Sequence, residues 1–198
     1  MLRIPAESPK IEHATQEFHE RIFQPEANEP LKTLELPLGG SVSPVDALAL
    51  LIDFLTIAGT RDKDGKTIDK YDDDTKGSMT VTVLKQGLQV LNRIAGNQAG
   101  SLGLHPAVYF YNERGKYSRF LFLGMVATIQ DTIRNNNSGF FKEFTKARRR
   151  LEQFLVDNKS LIGIILQNLS KGQRVPKMRD LFVYLVCELK DHLIYARR

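Results

Sequence analysis

Apolar positions return at helical spacing along most of the chain, and Gly/Pro-rich or polar stretches separate the periodic segments. Ile11, Phe18 and Ile22 predict a short amphipathic helix at about 10–23, which Pro25 stops. The following stretch, 24–40, holds Pro25, Pro30, Pro37 and Gly39-Gly40 and reads as a linker or extended arm. Within it Leu34, Leu36 and Leu38 alternate as a strand would, and Pro37 confines any such strand to an edge. Ser43-Pro44 is a helix start, a capping hydroxyl before proline at the first helical position, and the helix should reach Ala58 with Gly59 beyond. Its apolarity on all sides predicts burial.

Residues 60–77 form a polar, acidic segment rich in Asp, Lys and Gly, expected to be mobile. From 78 to 95, Val81, Leu84, Leu88, Leu91 and Ala95 lie on one helical stripe, closed by Gly96-Asn97. Pro106 can open a helix through Val108, Phe110 and Tyr111, although Ala107–Tyr111 followed by Asn112-Glu113-Arg114-Gly115 also reads as half of a β-hairpin; the helix is the preferred reading. Ser118 caps a helix from Arg119 to about Asn135, and further helices are predicted at about 139–157, 160–170 and 176–195, the last opened by Pro176. The fold class is therefore all-α, an irregular bundle of about six to eight helices with room for one short hairpin near 107–122. The organisation expected is an N-terminal segment over 1–41 and one helical domain over 42–198.

Composition narrows the class without naming a chemistry. Hydrophobic residues are 42% and charged residues 26% of 198, as in folded globular chains. The single cysteine, Cys187, follows the apolar run 181–186, which predicts a buried thiol and suits a reducing, cytoplasmic setting. The first residues lack a signal-peptide pattern. The longest apolar stretch, 42–58, carries Asp46 and Asp53 and is shorter than the ~20 residues of a membrane span.

Charge placement changes the picture more than the net +5 does. Residues 140–198 hold 13 Lys and Arg against 6 Asp and Glu, whereas residues 1–139 hold 15 against 17, so the basic character is C-terminal. In the helix predicted from Phe140 to Asp157, Phe140, Phe144, Ala147, Leu151, Phe154 and Leu155 make an apolar face. Lys142, Lys146, Arg149, Arg150 and Gln153 fall opposite, and Arg148 sits at the edge of the stripe. Together with Lys159, Lys171, Arg174, Lys177 and Arg179 these cations are the candidate phosphate-binding set, because backbone contacts require cations rather than base-reading groups. An ordinary solvated helix face is the competing reading.

Catalytic and metal motifs do not assemble. With Gly65 at position six of an EF-hand loop, position one is Thr60 and position twelve Tyr71, so the first carboxylate and the closing Glu are missing. His13 and Glu17 make a helix-surface pair without further ligands, and Asp46 and Asp53 lie two turns apart. No phosphate-binding glycine loop, dinucleotide fingerprint or nucleophile elbow occurs, so no cofactor, metal or catalytic residue is assigned.

The stretch Ser101–Tyr111, followed by Gly115 and the apolar helix through Phe120, Phe122 and Met125, resembles the helical portion of GmrSD-type, ParB-like restriction nucleases over roughly residues 40–170. In that family an N-terminal ParB-like domain carries the nuclease chemistry, marked by an Asp-Gly-x-x-Arg motif. Here Asp64-Gly65 is followed by Lys66-Thr67-Ile68, without the arginine, so no catalytic residue transfers. The resemblance implies an accessory helical part of a nuclease-based defence assembly, partnered by a ParB-like nuclease or another copy of itself. The leading expectation is a noncatalytic helical module that binds DNA or RNA through its basic ridge. The alternative is a protein-interaction or oligomerisation module.

Overall fold

The computed structural model describes residues 44–59, 74–96, 98 and 100–190. The segment predicted over 1–41, with its helix, its alternating leucines and His13, lies outside them, as do residues 60–73 and 191–195. Among the described residues the chain forms seven helices, and β-structure is limited to one isolated bridge, Tyr111–Tyr117. The all-α expectation holds. By internal packing the chain divides into two units, Met1–Arg93 and Ile94–Arg198.

In the first unit, helix α1 (Pro44–Gly59) buries Leu50, Phe54 and Ala58, spaced four apart, while Val45, Leu48 and Ile52 are exposed. The prediction of all-round burial is corrected: only the Leu50/Phe54/Ala58 stripe is packed, and the face with Val45, Leu48 and Ile52 stays open to solvent. Helix α2 (Ser78–Ala95) is also turned from the stripe expected. Val83, Leu84, Val90 and Leu91 are buried, Val81 and Leu88 are half-buried, and Ala95 is exposed. Two helical stripes overlap in this sequence, and packing selects between them.

The start of α2 is well determined. Gly77 adopts φ 69°, a left-handed conformation that glycine takes without a Cβ clash. Gly77 N–H donates to the Asp74 carbonyl (3.1 Å), and the Asp74 carboxylate accepts from Thr80 N–H (2.7 Å). Residues 74–77 are thus an ordered turn that caps α2, not the end of a loose loop. The Thr80 N–H bond is the main reason that the Asp74 carboxyl lies below its ordinary pKa.

In the second unit, Leu104 N–H donates to Ile94 carbonyl (2.8 Å), and Gly103 turns the chain with φ 53°. His105 Nδ1 accepts from Ala107 N–H (3.3 Å) and caps the one-turn helix α3 (Pro106–Tyr109). Asn112 Oδ1 then accepts from both Arg114 N–H and Lys116 N–H at 2.9 Å, which closes the loop and pairs Tyr111 with Tyr117. The helix reading holds for one turn only, Pro106–Tyr109, rather than through Tyr111, and the hairpin reading reduces to the single bridge Tyr111–Tyr117.

Helix α4 (Arg119–Arg134) is buried on nearly every side, from Leu121 through Val126 and at Thr128, Ile129, Gln130 and Thr132. It packs on α7 (Lys171–Lys190), as does α5 (Ser138–Asp157), while the short helix α6 (Lys159–Asn168) joins the last two. Asn137 Oδ1 accepts from Phe140 N–H (3.3 Å) and caps α5. Phe140, Phe144, Ala147, Leu151 and Leu155 are buried as the periodicity requires, and Phe154 is half-buried. Edge-to-face contact of Phe110 with Phe122 (5.3 Å) and stacking of Tyr109 on Phe144 (6.3 Å) tie α3 to α4 and α5.

Two expectations for α7 are corrected. The helix begins at Lys171 rather than Pro176, which lies in its interior. Ser170 and Gln173 form the start instead: Ser170 Oγ and Gln173 Oε1 are 3.0 Å apart, and Gln173 N–H donates to the Ser170 carbonyl (2.9 Å). Cys187 is exposed, not buried. Met178, Phe182, Leu185 and Val186 hold the buried stripe, and one further residue rotates ~100° away from it.

Candidate nucleic-acid interface

The nine cations singled out by sequence separate into three groups. On α5, Lys142, Lys146 and Arg149 are exposed, as the angular argument predicts. Lys146 and Arg149 line an open cleft of about 720 Å³ with Arg150, Gln153, Phe154, Asn158, Leu189 and one acid, Asp157, whose carboxylate accepts from Gln153 Nε2–H (2.9 Å). Arg150 differs from its neighbours. Its Nη1 donates to the Leu189 carbonyl of α7 (3.0 Å). Arg150 therefore joins α5 to α7 while still flanking the cleft.

The second group turns inward from the ridge. Lys159 Nζ donates to the Ala107 carbonyl, and burial holds its ammonium below the ordinary lysine pKa. Arg174 Nε donates to the Leu169 carbonyl (3.1 Å), and its guanidinium carbon lies 5.0 Å from the Phe120 ring centroid. These two cations share a separate pocket.

Arg179 is engaged by acids, at 3.1 Å from Asp131 and 2.9 Å from Asp180, and these carboxylates raise its pKa. Lys171 and Lys177, also on α7, are exposed. Of the predicted set, then, Lys142, Lys146, Arg149, Lys171 and Lys177 present their charge outward. Arg150, Lys159, Arg174 and Arg179 are held by contacts within the unit.

Arg148 behaves as an edge residue. Its Nε lies 3.5 Å from Glu152 Oε1, and the same oxygen accepts from Tyr109 Oη–H (3.0 Å). Burial first, and the Glu152 charge second, push the Tyr109 phenol far up, so it stays protonated and donates. Sequence reasoning missed this trio because Tyr109 and Glu152 are 43 residues apart. Among the described residues no group of three or more His, Cys, Asp or Glu is placed to hold a metal ion. No described helix is long and apolar enough to cross a membrane.

No family model, curated protein or solved structure matches this chain.

Proposed function

We propose that this chain is a noncatalytic helical module that binds nucleic acid through the exposed cations of α5, with the cleft beside Lys146 and Arg149 as the seat of a phosphate backbone. The observation that carries the reading is the outward placement of Lys142, Lys146 and Arg149 opposite the buried Phe140/Phe144/Ala147/Leu151/Leu155 face. Successive turns of one helix thereby offer a row of cations, the element that sequence-independent phosphate binding needs. The excess of 13 basic over 6 acidic residues in 140–198 adds a favourable long-range field. The resemblance of Ser101–Tyr111 to the helical portion of ParB-like restriction nucleases suggests an accessory role beside a nuclease carried on another chain.

A second reading, a protein-interaction module, is favoured by Leu161, Ile164 and Ile165, exposed apolar residues close together on α6. Salt dependence separates the two. In fluorescence anisotropy with short duplex DNA, single-stranded DNA and RNA, the parent should bind with a steep log K against log salt plot. The variant Lys142→Gln/Lys146→Gln/Arg149→Gln should remain folded and flatten the duplex slope by up to ~0.9 for each phosphate contact removed. Arg150 is left intact because its bond to Leu189 is structural. A parent that binds no nucleic acid at low salt, or a folded variant with unchanged affinity and slope, refutes the proposal.

A further inference from the structure

The pocket that Lys159 and Arg174 share lies between α3, α4, α6 and the first turns of α7, away from the α5 ridge in its lining residues. Its volume is about 200 Å³, below the roughly 300–1,000 Å³ of sites that take drug-sized ligands, so it suits a fragment-sized molecule. Leu121, Leu155, Ile162 and Leu166 supply apolar wall, and no Asp or Glu lines it. Two cations in a largely apolar cavity without an acid are electrostatically incomplete. An anion between them would supply the opposite charge that the lining lacks.

Both cations also retain donors. An ammonium has three N–H bonds, and Lys159 directs one to Ala107. A guanidinium has five, and the Arg174 Nε bond to Leu169 leaves the Nη edge suited to a planar, two-oxygen acceptor. The Ala107 and Leu169 carbonyls, with Phe120 under the guanidinium, hold the two side chains in place before any ligand arrives.

Gly163 lines the cavity. It is half-buried within α6, yet a Cβ built on it would meet no heavy atom within 4 Å. Glycine inside a helix costs about 1 kcal/mol relative to alanine. At Gly124 close helix packing accounts for that cost, because a Cβ there would lie 2.5 Å from Met178 Cβ. At Gly163 no packing contact does, and a side chain there has open space beside the pocket lining to enter.

We infer that this pocket binds a small amphipathic organic anion, a carboxylate with a planar apolar body, its charge between Lys159 and Arg174 and its body against the α6 face around Gly163. The inference is independent of the nucleic-acid reading and uses none of the exposed ridge residues.

The test uses the full chain with 2-naphthoate as a fluorescent probe, which the absence of tryptophan leaves unobscured. Saturable 1:1 binding is expected, with Kd of about 0.1–1 mM for a ligand of this size. Neutral 2-naphthamide should bind at least about tenfold more weakly, since it loses charge-assisted hydrogen bonds. Inorganic phosphate should compete poorly because it lacks the apolar body. Gly163→Leu, which fills open space and improves helix propensity, should keep or raise the melting temperature and weaken binding at least about tenfold. Lys159→Met should weaken naphthoate but not naphthamide, and remains informative if the leucine variant does not fold. No saturable naphthoate binding, equal binding of the amide, equal competition by phosphate, or a folded Gly163→Leu protein that binds as the parent does would each overturn the assignment.

Discussion

Replacing Gly124 by alanine probes a close approach between α4 and α7. The new methyl would sit 2.5 Å from Met178 Cβ, 3.3 Å from Met178 C and 3.4 Å from Arg179 N. Ordinary contacts begin at about 3.4 Å, so the helices must separate by about 1 Å or the backbone must bend. Two of the three atoms are backbone and the third is a Cβ, so no flexible side-chain end can swing aside. Overpacking of a core costs ~1–3 kcal/mol, and alanine returns ~0.8–1.0 kcal/mol through helix propensity. With rigid neighbours the net loss should lie near ~2 kcal/mol, which for a unit of about a hundred residues lowers the melting temperature by roughly 8–16 °C. Gly163→Ala is the internal control: it meets nothing and should gain up to ~1 kcal/mol. Urea denaturation followed by circular dichroism at 222 nm measures both. A Gly124→Ala protein as stable as the parent, or a Gly163→Ala protein that loses as much, refutes the reasoning from close approach.

Other parts of the molecule give further expectations. Because the folded Asp74 pKa lies below its ordinary 3.8, the capping carboxylate stabilises the fold fully above that value. This contribution fades as pH falls through the lower folded pKa, so Asp74→Ala should destabilise at neutral pH and reduce the loss of stability on acidification below about pH 4. Equal acid sensitivity of variant and parent in pH-dependent urea titrations would rule out this role. Cys187, exposed on α7, should react with a disulfide reagent such as dithionitrobenzoate in the native protein. Labelling only after denaturant is added would restore the buried assignment.

Helix identity was legible in the sequence because its signals are local. Ser-Pro at 43–44 and the i, i+3, i+4 stripe of α5 each act within a turn or two, and the corresponding helices form. The start of α7 was legible too, in Ser170 and Gln173, but a proline six residues later drew the boundary forward. Rotation about the axis was harder. In α2 two overlapping apolar stripes fit one sequence, and only packing chose the one through Val83, Val90 and Leu91.

For the candidate sites the division follows distance along the chain. Periodicity alone determined that Lys142, Lys146 and Arg149 oppose the α5 core, because all of these positions belong to one helix. It could not tell a solvated cation from an engaged one. Arg150 meets a carbonyl 39 residues away, Arg179 a carboxylate 48 away and Lys159 a carbonyl 52 away. Local sequence carries no signal for such partners. The tertiary structure also decided that Lys159 and Arg174 face one pocket and that Gly163, unlike Gly124, opens onto unfilled space, since a cavity exists only where separate helices meet.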